Sequence, residues 1–142
     1  MDKSASPSPE KIVSHMLNND PFSLWMGVEI KEVYEGFCKI SCTINDTMLN
    51  GFSVTHGGIV FALADSALAF SATTYGRVSL AIDNSISFTK KSVSGDRLTA
   101  TSECTNLTHK TGVFDIKVKN QNDELIAVMK GTVYRTSEEF SI

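Results

Sequence analysis

The sequence predicts an α+β fold in which an antiparallel sheet curls around one long central helix, and three observations carry that prediction. The stretch HGGIVFALADSALAFSA, residues 56–72, is apolar on nearly every side of a helix, and such a helix belongs at the centre of its domain. Four strand-like segments with short links follow it, which favours antiparallel pairing. With 142 residues the chain has one domain's worth of core, so the helix can be buried only if that sheet curls around it.

The elements follow in order. MDKSASPSPE is polar and rich in Ser and Pro with no apolar run after it that would suit a signal peptide, so residues 1–9 read as a flexible tail before a single domain over residues 10–142. Pro9 then opens a short amphipathic helix with Ile12, Val13, Met16 and Leu17 on one face, and Asp20-Pro21 should stop it. Phe22 and Trp25 are expected to pack against this helix, and His15 and His109 to lie at the surface or in turns. VEIKEVYE and FCKISCTI flank Gly36 as two strands joined by a tight turn. The loop NDTMLNGFSVT leads into the long helix, which runs from His56 to about Tyr75 and ends at Gly76. Strands near residues 78–89, 97–109, 113–120 and 124–135 come next, separated by turn signals at Ser94-Gly95-Asp96, Lys110-Thr111-Gly112 and Gln121-Asn122-Asp123.

Composition narrows the function. The net charge is -3, and the 13 basic residues are scattered among 16 acidic ones, so no basic stripe suggests a nucleic-acid groove. The longest apolar segment is broken by Asp65 and falls short of the ~20 residues a membrane-spanning helix needs, so no membrane is expected as a partner. Three cysteines, Cys38, Cys42 and Cys104, are an odd number with no CxxC pair, which argues against a disulfide framework or zinc and for a reducing, cytoplasmic setting. In a strand, Cys38 and Cys42 share one face as small buried hydrophobes.

A carboxylate in the middle of an apolar helix then demands an explanation. Between Ile59 and Ala72 the only polar residues are Asp65, Ser66 and Ser71, and a buried charge is costly unless it is paired, hydrogen-bonded or protonated. At the helix start, Gly57-Gly58 either leaves backbone N–H groups free to hold a carbonyl oxygen as charge builds on it, or merely allows close backbone packing. If Asp65 attacks the carbonyl polarised there, directly or through water, one chain is not enough. Eight residues of helix put Gly57 and Asp65 ~12 Å apart, whereas antiparallel helices of two chains related by a twofold axis bring the start of one towards the middle of the other. Asn50, six residues before His56, either orients a water or carbonyl, or serves the Asn50-Gly51 turn. His56 is either a helix cap or part of the same site.

These residues resemble a known family, the hotdog-fold acyl-CoA thioesterases of the phenylacetic acid degradation type. The likeness rests on MLNGFSVTHGGIVFALADSALAFSA, where Asn50, His56-Gly57-Gly58 and Leu63-Ala64-Asp65 fall at the family's spacing. It continues through SISFTKKSVSGDRLTATSE and HKTGVFDIKVKNQNDELIAVMKGTVYR, and so covers nearly everything after residue 20. The resemblance implies dimers that associate into homotetramers, with Asp65 as nucleophile or general base and the Gly57 N–H polarising the thioester carbonyl. Asn50 and His56 would orient the carbonyl, leaving group or water from the other chain, and Gly58 would line the substrate site. Some relatives hold the water with a Ser or Thr on the strand after the helix; the matching stretch LAIDNSISF offers Ala81, Asp83, Asn84 or Ser85. Coenzyme A, here part of the substrate and not a cofactor, carries phosphates that Lys90, Lys91, Arg97 or Lys110 at strand ends could meet. No metal or other cofactor is expected, since a thiolate leaves well enough for one carboxylate and one oxyanion donor.

The expected activity is hydrolysis of small to medium, including aromatic, acyl-CoA thioesters. Two other readings compete with it. A hotdog enoyl-CoA hydratase or dehydratase needs a His base, and its relatives follow that His with a proline-containing loop where this chain has two glycines. A non-catalytic acyl-CoA-binding module would keep the fold without turnover.

Overall fold

A computed structural model describes residues 6–142; residues 1–5, part of the expected tail, lie outside the described residues. The chain forms α1 (Pro9–Asn18), α2 (Pro21–Trp25), β1 (Glu29–Tyr34), β2 (Phe37–Thr43), a 3₁₀ turn (Asp46–Met48), α3 (Gly57–Thr73), β3 (Arg77–Phe88), β4 (Arg97–Leu107), β5 (Thr111–Lys119) and β6 (Leu125–Glu139). Six strands make one antiparallel sheet in the order β1-β2-β4-β5-β6-β3, curled around α3 as expected. No helix of the described residues is long and apolar enough to cross a membrane.

Ser8 caps α1, its hydroxyl accepting from the Lys11 N–H at 3.3 Å, and Ile12, Val13 and Leu17 are buried. Asp20-Pro21 does more than end this helix. Asp20 accepts from the Ser23 N–H at 2.9 Å and Pro21 occupies the first helical position, so the same dipeptide starts α2, which the sequence reading left out. The expected packing of Phe22 and Trp25 is also corrected. They are 51% and 54% exposed, with ring centroids 5.7 Å apart. The reason is polar: α2 turns Ser23 inward, where its hydroxyl donates to Asp20 Oδ2 at 2.7 Å and meets the Ser66 hydroxyl of α3 at 2.9 Å. Because the Ser23 proton points to Asp20, Ser66 supplies the donor of that second bond.

The core is read from strand alternation. Cys38, Ile40 and Cys42 of β2, Leu98 and Ala100 of β4, and Phe114, Ile116 and Val118 of β5 are buried at every second position, and α3 packs against these strands. Burial pushes the Cys38 thiol up to about 12 and the Cys42 thiol up to about 11, so neither is a nucleophile at neutral pH. All three cysteines are free.

The far end of α3 is stitched to the β1–β2 turn. The Gly36 N–H donates to the Thr74 hydroxyl at 2.8 Å, and that hydroxyl donates to the Ser71 carbonyl at 2.6 Å. Gly36 sits at φ +78°, and a Cβ there would collide with the Tyr75 hydroxyl. Gly36→Ala is therefore expected to lower stability by about 3 kcal/mol, the sum of left-handed backbone strain and overpacking. The urea midpoint checks this, with an unchanged midpoint as the contrary result.

β3 lies at one edge of the sheet. It pairs only with β6, and its other side is open among the described residues. Leu80 and Ile82 on it are 59% and 61% exposed.

Candidate functional site

The loop before α3 is shaped by Asn50. Its side-chain carbonyl accepts from the Phe52 N–H at 2.9 Å and the Val54 N–H at 3.4 Å, while its own N–H donates to the Val54 carbonyl at 2.8 Å. This is the turn role that the sequence left open, with the side-chain amide nitrogen not engaged by it. His56 likewise caps α3. Its N–H donates to the Met48 carbonyl and its Nδ1 accepts from the Gly58 N–H, both at 2.8 Å.

That cap divides the two glycines. Gly58 has its N–H engaged by His56, so Gly57 is the one whose N–H finds no partner among the described residues. It points from the positive end of a 17-residue helix, where an anion or a polarised carbonyl oxygen is favoured. The Phe88 ring lies over it, and a Cβ on Gly57 would stand 3.3 Å from Phe88 Cζ.

Two depressions flank this helix start. One, of about 380 Å³, is lined by Thr55, Gly57, Phe88, Lys90, Lys91 and Ser92 among others. The other, of about 390 Å³, is mostly apolar and is lined by Phe22, Met48, Leu49 and Ile59 together with His56 and Gly58. The structure thus brings His56, Gly57, Gly58, Lys90 and Lys91 to one end of the sheet. Lys90 is ion-paired with Glu124; Lys91 has no ion pair among the described residues. Lys110 is elsewhere: its carbonyl accepts from the Arg135 N–H at 2.7 Å in the β4–β5 connection, and Arg135 lies over the Tyr75 ring near the other end of α3. Arg97 is engaged by Glu29 at 3.0 Å and Ser41 at 2.9 Å.

Asp65 sits in the middle of α3, half-buried, on the side facing β3. Its Oδ1 accepts from Asn84 Nδ2 at 2.8 Å, which answers how the carboxylate is tolerated. Of the four positions offered by LAIDNSISF, Asn84 is the one aimed at the acid, while Ala81, Asp83 and Ser85 are exposed. Sequence reasoning could not choose among them, because a bulge between Ala81 and Asp83 breaks the alternation. A usable signal lay downstream: Asn84 is in phase with Ile86 and Phe88, both directed towards the core or the helix start.

α3 is unbroken between Gly57 and Asp65, so the donor and the acid of one chain stay ~12 Å apart along it. No group of three His, Cys, Asp or Glu side chains suited to a metal occurs among the described residues.

Comparison with known proteins gives a consistent picture. The model of the family described as the thioesterase superfamily matches residues 52–127. A protein of Archaeoglobus fulgidus, provisionally named an esterase, is 38% identical over 131 residues, covering 92% of this chain and 85% of that protein. The acyl-coenzyme A thioesterase PaaI of Escherichia coli is 35% identical over 120 residues, covering 84% of this chain and 86% of that protein. The solved structure of the Escherichia coli PaaI protein from the phenylacetic acid degradation operon superimposes with a TM-score of 0.91 at 32% identity, over 94% of this chain and 96% of that one.

Proposed function

This chain belongs to the thioesterase superfamily and has its hotdog fold, and we propose that it hydrolyses small to medium acyl-CoA thioesters, aromatic ones included, to the free acid and coenzyme A. The observation that carries the reading is the pairing of a held carboxylate, Asp65, with a backbone donor lacking a partner among the described residues, Gly57 N–H, at a spacing that two chains can close and one cannot.

The proposed working unit is a dimer about a twofold axis, formed by the open edge of β3 with the two α3 helices antiparallel. The exposed Leu80 and Ile82 and the unpaired backbone groups of that edge support it. Two such dimers make the proposed tetramer. In each site the thioester oxygen is held by the Gly57 N–H of one protomer, and Asp65 of the other acts on the carbonyl carbon as nucleophile or through a water. When water attacks, Asp65 takes its proton as the carbon–oxygen bond forms, the oxygen takes the carbonyl electrons against the helix start, and their return breaks the carbon–sulfur bond; the thiolate then takes the proton from Asp65 and the free acid is left. When Asp65 itself attacks, the same sequence leaves an acyl anhydride on Asp65, with the thiolate protonated from solvent, and a water then hydrolyses the anhydride to restore the carboxylate and release the acid. The donor matters most when negative charge has built on that oxygen. Neither route calls on a metal or a cofactor.

Lys90 and Lys91, beside Gly57, are the cations proposed for the coenzyme A phosphates. Lys110 serves the same ligand only from another protomer. His56 and Gly58 border the apolar depression with Phe22, Met48, Leu49 and Ile59, which suits a flat acyl group. Asn50 fixes the loop that carries His56, and its amide donors, without a partner among the described residues, are left to orient carbonyl or water. A cytoplasmic place of action accords with free cysteines and a coenzyme A substrate.

Thiol release from a panel running from acetyl- through arylacetyl- to long fatty acyl-CoA tests this, with size-exclusion chromatography on the same sample. The expected result is turnover highest for the arylacetyl and medium members by a species no smaller than a dimer. Tight binding without turnover would instead make the protein an acyl-CoA-binding module, and a catalytically active monomer would remove the shared site.

A further inference from the structure

We propose that Asn84 is a positioning residue for the reaction, holding the Asp65 carboxylate in one orientation with one oxygen tied and the other free to act; the inference rests on the thioesterase reading above. Asn84 Nδ2 donates to Asp65 Oδ1 at 2.8 Å across the gap between β3 and α3. Aspartate on a helix otherwise samples more than one staggered rotamer, and a carboxylate that must meet a carbonyl carbon on another chain loses rate with each misplaced orientation.

The other half of the amide shows why this asparagine is not mere packing. Asn84 Oδ1 is buried and has no hydrogen-bond partner among the described residues. A buried acceptor left unmade is unfavourable, and an apolar side chain at this position would not carry that penalty. The position therefore carries a stability disadvantage that nothing in the sheet requires, and its single directed contact is with Asp65.

The site is also built to hold the amide in this place. Asn84 pairs with Gly131 of β6 across the sheet, and a Cβ on Gly131 would stand 2.9 Å from Asn84 Oδ1 and 2.5 Å from Leu68 Cδ2 of α3. Glycine at 131 thus makes room both for the amide and for the helix face that presents Asp65. The neighbouring Ser66 is anchored to Ser23 at 2.9 Å, so the turn of α3 bearing the acid is fixed from α2 as well as from β3.

Two substitutions separate positioning from packing. Asn84→Leu keeps the branched shape, at a somewhat larger volume, and deletes the donor; it is expected to lower kcat about 10- to 100-fold with KM within about twofold, a loss larger than any accompanying change in the thermal midpoint accounts for. Asn84→Asp keeps the shape but sets an acceptor against an acceptor, and at neutral pH it is expected to lose at least as much kcat although packing alone ranks it the milder change. In an Asp65→Ala background, Asn84→Leu is expected to leave the residual rate unchanged, since it acts through the absent acid. Wild-type kcat in Asn84→Leu, or a kcat loss that simply follows a fall in the midpoint, overturns the assignment. A crystal structure of Asn84→Leu asks the same question without turnover: Asp65 should leave its wild-type rotamer or occupy more than one, and an unmoved, single Asp65 conformer overturns the role. Should the wild-type protein release no thiol from any acyl-CoA, the functional reading falls, and that structural comparison still decides the clamp.

Discussion

Asp65→Asn lowers kcat for acyl-CoA hydrolysis at least about 10³-fold while KM stays within a few-fold, the largest effect expected of any single substitution in the chain. Asparagine has the shape of aspartate and keeps a carbonyl oxygen to accept from Asn84 Nδ2, so the 2.8 Å contact and the helix face survive. What disappears is the negative charge and the second carboxylate oxygen, hence both ways of acting, by attack or by taking a proton from water. A 10³-fold loss corresponds to about 4 kcal/mol of transition-state stabilisation, well above what a disturbed surface residue yields. Thiol release at saturating and subsaturating acyl-CoA separates kcat from KM. If the substituted protein turns over at near the wild-type kcat, Asp65 is not the reacting group and the site has to be sought elsewhere.

Mixing two inactive proteins should restore activity. Gly57→Pro removes the N–H from the first helical position, where proline is otherwise tolerated because that group lies outside the helical ladder. His56 already has ψ 133°, an extended conformation suited to the residue before proline. The substitution is expected to cost about 10²- to 10³-fold in kcat, as for other lost oxyanion donors. Co-expressed in equal amounts with the Asp65→Asn chain, it should form mixed dimers in half the cases. Each mixed dimer has one site with an intact Asp65 from one chain and an intact Gly57 N–H from the other, which predicts about a quarter of wild-type activity. Activity no greater than the average of the two parents would mean that acid and donor do not come from different chains.

Much of the architecture was legible because hydrophobic periodicity follows from burial. An all-round apolar helix and alternating strands point to each other, and every strand from β1 to β6 falls within a few residues of its expected span. The sheet order was less accessible. β3 follows α3 in sequence yet pairs with β6 at the edge, a long-range choice that strand patterns alone do not encode. α2 was missed because five residues carry too little periodicity to announce a helix, and its inward face is a serine.

The candidate site was legible as a spacing, Asn50 to His56 to Asp65, but not as a set of contacts. Whether His56 caps or catalyses depends on where its ring turns, and the ring takes up the Gly58 N–H and so singles out Gly57. Asn84 was hidden by the bulge that shifts the strand's alternation by one residue. The lysines were the least readable, since placing Lys90 and Lys91 beside Gly57, and Lys110 towards the other end, needs the strand pairing itself.

The twelve residues from Arg77 to Phe88 have a further consequence, for a chain that has not yet met the copy proposed to pair with it. Arg77 and Asp83 are the only charged side chains along that strand, so a newly made, solitary copy has little to repel a stranger's unpaired backbone. The bulge between Ala81 and Asp83 twists the ribbon and gives some protection, but bare Leu80 and Ile82 invite sticking. With β3 as the seam of the proposed dimer, precipitation during synthesis, ahead of any slowed chemistry, is the first symptom expected of a substitution that weakens the meeting of identical copies.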